Sequence, residues 1–135
     1  MNINDTTQVF ILKVADAKAL DQYTRQQYAD PETIDYDTPR CGFAADQKIF
    51  ALDEDFTEAH WEGSAEAVRN GLCNGWFVDM DEVYNAYDSA KFPSDPNAIV
   101  LLGTYGHVDE PRDVICDDYW VVYLGEFSHR IVGLE

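Results

Sequence analysis

The chain has 135 residues and carries 26 Asp plus Glu against 9 Lys plus Arg, a formal net charge of -17. Charge of that size opposes contact with nucleic acid and anionic membranes and favours a basic partner. Disorder is excluded for the body of the chain, because 46% of residues are hydrophobic and 13% aromatic, enough for the core of one domain.

Met1 to Thr7 is polar, and the apolar run that follows has no basic flank or small-residue cleavage site, so no secretory leader is expected. No stretch reaches the ~20 apolar residues of a membrane span. Cys41, Cys73 and Cys116 are odd in number and widely spaced. They read as reduced, buried structural thiols of a cytoplasmic protein, and no CxxC or HxxxH spacing joins them to His60, His107 and His129 as a zinc site.

Val9-Phe-Ile-Leu-Lys-Val14 predicts a strand, apolar enough to lie centrally in a sheet. Asp16 offers an N-cap for a helix over residues 17–28 with Leu20, Tyr23 and Gln27 or Tyr28 inward. Pro31 and Pro39 bracket an acidic loop containing Asp30, Glu32, Asp35 and Asp37, and Lys48–Leu52 predicts a second strand. Asp55-Phe-Thr-Glu58 resembles a capping box that opens a second helix, whose stripe is Trp61, Ala65, Val68 and Leu72. Gly71 and Asn74-Gly75 end it. Asp79-Met-Asp-Glu82 opens a third helix to about Ala90, with Met80, Val83, Tyr84 and Tyr87 inward and Asp81, Glu82, Asn85 and Asp88 outward. Ala98–Tyr105 and Tyr119–Phe127 are the strongest strand signals, joined by a polar loop, and their closeness in sequence predicts antiparallel pairing with each other. A short strand near Arg130–Leu134 completes the order. The expected fold is one α+β domain over residues 1–135, a mostly antiparallel sheet of four to five strands with about three helices on one face.

The acids are unevenly placed: residues 46–90 hold 11 acids and 2 bases. Glu54, Glu58, Glu62 and Glu66 recur every fourth residue, with Asp53 and Asp55 beside the first. On a helix that spacing makes a solvent-facing row rising ~6 Å per step. Like charges at i,i+4 each cost ~0.2–0.5 kcal/mol, and only Arg69 follows to offset them, so the row points to use rather than to stability. One row is sparser than the ~3.4 Å charge spacing along a DNA strand, so imitation of nucleic acid requires a second, such as Asp81, Glu82 and Asp88. Trp61, Trp120 and most tyrosines are expected in the core, whereas Trp76 follows a turn outside any periodic pattern and is a candidate exposed anchor.

Catalytic signals are weak. Asp53-x-Asp55-x-Thr57 begins like a calcium loop but has Glu58 where glycine is required and Ser64 where glutamate is required. There is no GxSxG, P-loop or GxGxxG, hence no expected cofactor or metal. Adjacent acids such as Asp117-Asp118 arise from composition, and His107, near Asp109 in sequence, is the one acid–base candidate.

The profile of an acidic domain without catalytic motifs is similar to two kinds of stoichiometric inhibitor. These are the phage and mobile-element anti-restriction or anti-CRISPR proteins, and the bacterial immunity proteins that neutralise nuclease toxins. The similarity is compositional and carries no residue across. The leading expectation is a non-enzymatic inhibitor that blocks the nucleic-acid site of a basic protein, without binding nucleic acid or membrane itself. Its contact surface would comprise Asp53, Glu54, Asp55, Glu58, Glu62, Glu66, Trp76, Asp81, Glu82 and Asp88. Toxin immunity is the first alternative. A small enzyme with scattered carboxylates around His107 is the second.

Overall fold

The run predicted to lie centrally in a sheet does so. In the computed structural model, which describes residues 5–26 and 39–129, β1 (Thr6–Lys13) is the middle strand of an antiparallel five-stranded sheet. The other strands are β2 (Thr57–Trp61), β3 (Ala98–Leu102), β4 (Val114–Ile115) and β5 (Trp120–Ser128), in the order β2-β3-β1-β5-β4. The helices are α1 (Ala17–Thr24), α2 (Gly42–Gln47), α3 (Ala65–Gly71) and α4 (Met80–Ser89). The expected α+β class and antiparallel sheet are therefore observed.

Val9, Phe10, Ile11 and Leu12 are all fully buried, as is the whole of β3. An unbroken apolar strand demands cover on both faces of its sheet, whereas alternation would have sufficed for one. Cover on both faces is what the chain supplies, in place of the single helical face expected. Phe10, Leu12, Val100 and Val121 pack with Leu20 of α1 and with Phe43 and Ala44 of α2. Val9, Ile11, Ile99 and Leu101 pack on the opposite face with Val68 of α3 and with Val83 and Tyr87 of α4. Each Val, Leu, Ile or Phe among them contributes about 1.5–3 kcal/mol on burial.

The expected pairing between the two late strands is also replaced. β3 and β5 each pair antiparallel with β1, which lies between them, through registers such as Phe10↔Val100 and Phe10↔Tyr123. β1 carries the run Val9–Leu12, apolar toward both faces, and its central place gives it a hydrogen-bonded strand on each side. The long link between β3 and β5 crosses over the α1/α2 side, where Val108 joins the core. Two buried glutamines hold that link as a strand neighbour would. Gln8 Nε2 donates to the Val108 carbonyl and its Oε1 accepts from Val108 N–H, both at 2.8 Å. Gln47 makes the same two-way contact with Arg112 at 3.0 and 2.9 Å. Asn97 does likewise with Val14, at 2.8 and 3.0 Å.

Asp16 caps α1 by accepting from Ala19 N–H at 2.8 Å, as predicted, and Leu20 is buried. The helix ends at Thr24; residues 27–38, with the acidic loop, and the late strand near residues 130–134 lie outside the described residues. The strand expected over Lys48–Leu52 is absent, and α2 precedes it instead. Cys41 caps this six-residue helix through Sγ, 3.4 Å from Ala44 N, and Lys48 ends it at φ 59°. A helix so short gives too few turns for a periodic signal.

The second helix was expected to begin at Asp55. Asp53 instead caps a single 3-10 turn, and the chain extends into β2 before Ser64 caps α3 by accepting from Ala67 N–H at 3.1 Å. Gly63, at φ 91°, separates the two. Pairing with β3 overrides local helical preference here. Trp61 consequently leaves the expected core for an edge strand and is 39% exposed, whereas Trp120 is buried. Cys41 is buried as expected, but Cys73 and Cys116 are exposed; all three are free thiols.

Candidate interaction surface

The conversion of residues 57–61 from helix to strand changes what the acidic row is. Glu58 lies on β2 opposite Leu101, Glu62 lies beyond its end, and Glu66 belongs to the first turn of α3. Along a strand, four residues span ~13 Å rather than the ~6 Å of a helix. The expected continuous helical row does not exist. Asp53, Glu54 and Asp55 form the exposed 3-10 turn at the start of β2, where Glu54 accepts from Gln26 Nε2 at 3.2 Å. Glu62 lies at the other end of the strand with its carboxylate over Gly71, where an added Cβ would sit 2.8 Å from Oε1.

The capping pattern predicted for α4 is observed. Asp79 caps α4 by accepting from Glu82 N–H at 3.2 Å, and Asp81 and Glu82 stand exposed in its first turn. There the positive end of the helix dipole favours them. Asp88, at the far end of α4, is compensated: Arg69 of α3 donates to both carboxylate oxygens at 2.8 and 2.9 Å and stacks 4.4 Å from the Tyr84 ring. The guanidinium holds the Asp88 carboxyl below its usual range. Tyr87 donates to the Ala65 carbonyl at 2.9 Å, so the start of α3, with Glu66, lies beside the C-terminal half of α4. The candidate acids thus divide among three patches: the start of β2, the start of α3, and the start of α4.

Trp76 belongs to the last of these. It is 62% exposed and sits at φ 55°, a left-handed conformation that costs a bulky residue ~1–2 kcal/mol. Its neighbours impose that geometry. Phe77 is buried against the Phe127 ring, edge-on at 5.9 Å, and lies so close over Gly75 that an added Cβ there would fall 2.1 Å from its ring. Phe77 also bridges to His129, and Val78 N–H donates to the Ser128 carbonyl at 2.9 Å. With Phe77 pinned inward, Trp76 and Val78 are both turned to solvent. An apolar anchor therefore directly precedes the acidic turn of α4.

His107 is engaged by the fold. Its Nε2 donates to the Thr6 carbonyl at 2.9 Å and its Nδ1 lies 3.4 Å from Glu126 Oε1. Among the described residues no group of three or more His, Cys, Asp or Glu side chains is placed to hold a metal.

A second titratable cluster escaped sequence reading. Asp46 of α2 accepts from Tyr23 Oη at 2.7 Å and from Tyr119 Oη, joining α1, α2 and the start of β5. Burial, then the hydrogen bond to Asp46, pushes both phenols above their ordinary range. These residues stand 23 and 73 positions apart from Asp46, so only the fold reveals them.

No helix among the described residues is long and apolar enough to cross a membrane. Comparison of the chain with known protein families, with curated proteins and with solved structures finds no match.

Proposed function

We propose that this protein is a non-enzymatic acidic inhibitor that binds a basic, nucleic-acid-binding protein and blocks its nucleic-acid site, as anti-restriction and anti-CRISPR proteins do, acting in the cytoplasm. The observation that carries this reading is Trp76: a large aromatic side chain exposed in a strained backbone conformation, immediately before Asp79, Asp81 and Glu82. Strain kept at an exposed aromatic residue motivates a functional role. An exposed tryptophan followed within a few residues by exposed acids is the composition of an interface hot spot with a polar rim. The net charge of -17 supplies long-range attraction to a basic groove. The wide spacing of the β2 carboxylates favours an apolar anchor framed by charge over a copy of the phosphate backbone. Three free thiols suit a reducing compartment.

The test is affinity capture from a lysate of the source cell at about 50 mM and 500 mM salt, with the wild type and Trp76→Ala, followed by a gel shift of the captured protein on nucleic acid. The expected result is a basic protein retained at low salt, lost with Trp76→Ala, and unable to bind nucleic acid while complexed. A captured toxin nuclease would support the immunity alternative. Recovery of no basic protein, or of one that still binds nucleic acid in the complex, would overturn the reading.

A further inference from the structure

We propose that the outer edge of β2, beside which no strand pairs among the described residues, is a docking site for an extended basic segment of a partner protein, which adds to the sheet beside β2 as a sixth strand. This goes beyond the Trp76 surface and rests on the reading of an acidic binding protein only for the charge of the occupant.

The backbone pattern defines the edge. Gly103 N–H donates to the Phe56 carbonyl at 2.7 Å and Glu62 N–H donates to the Asn97 carbonyl at 2.9 Å. Phe56, Glu58, His60 and Glu62 are therefore the residues whose backbone groups face β3, because bonding alternates along an antiparallel pair. The N–H and C=O groups of Thr57, Ala59 and Trp61 point the other way, to the side where the sheet ends. Among the described residues no strand pairs there. Such a row is a template for another chain. Ala59 at its centre is exposed and small, so a second backbone can approach to the usual ~4.8 Å.

The side chains on either side of that edge specify the occupant. Directly opposed residues of paired strands share a face. Those opposite Thr57 and Ala59 would lie over a groove between α1 and β2 whose lining includes Asp21, Thr24, Arg25, Leu52, Thr57 and Ala59; Arg25 pairs with Asp21 there, so small uncharged residues fit that side. Those opposite Glu58 and His60 would meet the Glu58 carboxylate, 61% exposed, with Glu62 beyond it. The matching sequence alternates lysine or arginine with small residues. A second copy of this chain is disfavoured, since each brings a charge of -17.

The probe is a capped heptapeptide alternating threonine and lysine, with a threonine–glutamate version as control. Binding is followed by amide resonances and hydrogen exchange of the full chain. In the free protein the Thr57, Ala59 and Trp61 amides should exchange rapidly, and at saturating lysine peptide those of Ala59 and Trp61 should slow at least tenfold. The glutamate peptide should leave them unchanged. Ala59→Pro removes only an outward-facing donor, so it should keep the thermal midpoint yet weaken the peptide at least tenfold. N-methylation of the peptide at the residues that bond to β2 should abolish binding to the unaltered protein, and Trp76→Ala should leave it intact. The proposal is overturned if the Ala59 and Trp61 amides are already protected in the free protein, if the methylated peptide binds as well as its parent, or if binding depends on Trp76. Edge-amide protection and the effect of N-methylation do not bear on inhibition through Trp76, so the two readings fail separately.

Discussion

At the scale of single residues, three local devices can be tested against the energies they imply. Gly75 exists because the Phe77 ring occupies the space of its missing side chain. Gly75→Ala should lower the unfolding free energy in urea by about 1–3 kcal/mol, the cost of overpacking. Asn97, 4% exposed, satisfies both backbone groups of Val14, and Asn97→Ala leaves a buried donor and a buried acceptor unpaired. Each orphan costs about 1–3 kcal/mol, so a loss of at least 2 kcal/mol is expected in the same measurement. Tyr23 sets a pH dependence. Its folded pKa is raised above the ordinary value of 10.0, first by burial and then by Asp46. Above pH 10 the unfolded chain sheds the phenolic proton while the folded chain retains it, so the folded state binds more protons and stability falls as pH rises. Urea unfolding should be flat in this contribution below pH 9 and decline above 10 by about 1.4 kcal/mol per pH unit. Tyr119 adds a smaller part, since solvent screens it more. The Tyr87 and Tyr123 phenols are also raised, first by burial, so Tyr23→Phe should reduce the slope without abolishing it.

At the scale of elements, caps and edges decide more than propensity. Asp16 and Asp79 were legible as N-caps because each precedes an amphipathic run, and both accept from the expected third residue. Asp79→Ala should cost about 0.5–2 kcal/mol in thermal or urea unfolding, and shortening of α4 should show in its amide exchange. Ser64 caps α3 in the same way, but the apolar residues upstream of it at Trp61 and downstream at Ala65, Val68 and Leu72 share a helical spacing that conceals the break. Gly63 was the available signal. The short α2, capped by Cys41 and ended by Lys48, offered none of comparable strength.

At the scale of the whole molecule, the excess of acids costs self-repulsion that the two-sided core must offset. Added salt screens it, so moderate salt should raise the thermal midpoint while weakening partner binding, two opposite responses from one charge distribution. The double change Glu62→Gln and Glu66→Gln discriminates between roles. These residues sit on a strand extension and on α3, so relief of i,i+4 repulsion no longer applies, and stability should stay within about 0.5 kcal/mol. An affinity for the captured partner unchanged at low salt would place both residues outside the interface and leave Trp76, Asp81 and Glu82 as its centre.

The class of fold, the central place of Val9–Leu12, the register of α4 and the acidity of its first turn are all legible in the chain, because each rests on local periodicity, a capping pair or plain composition. That β1 separates β3 from β5, that helices cover both faces and that Glu58 lies on a strand emerge from the folded chain alone. Those outcomes depend on which apolar faces bury one another across long separations. The same reason hid the Asp46 cluster and the glutamine clamps, whose partners are distant in sequence. It also governs Trp76: its place after a turn was visible in the chain, but its exposure follows from Phe77 finding Phe127, a contact no local pattern encodes.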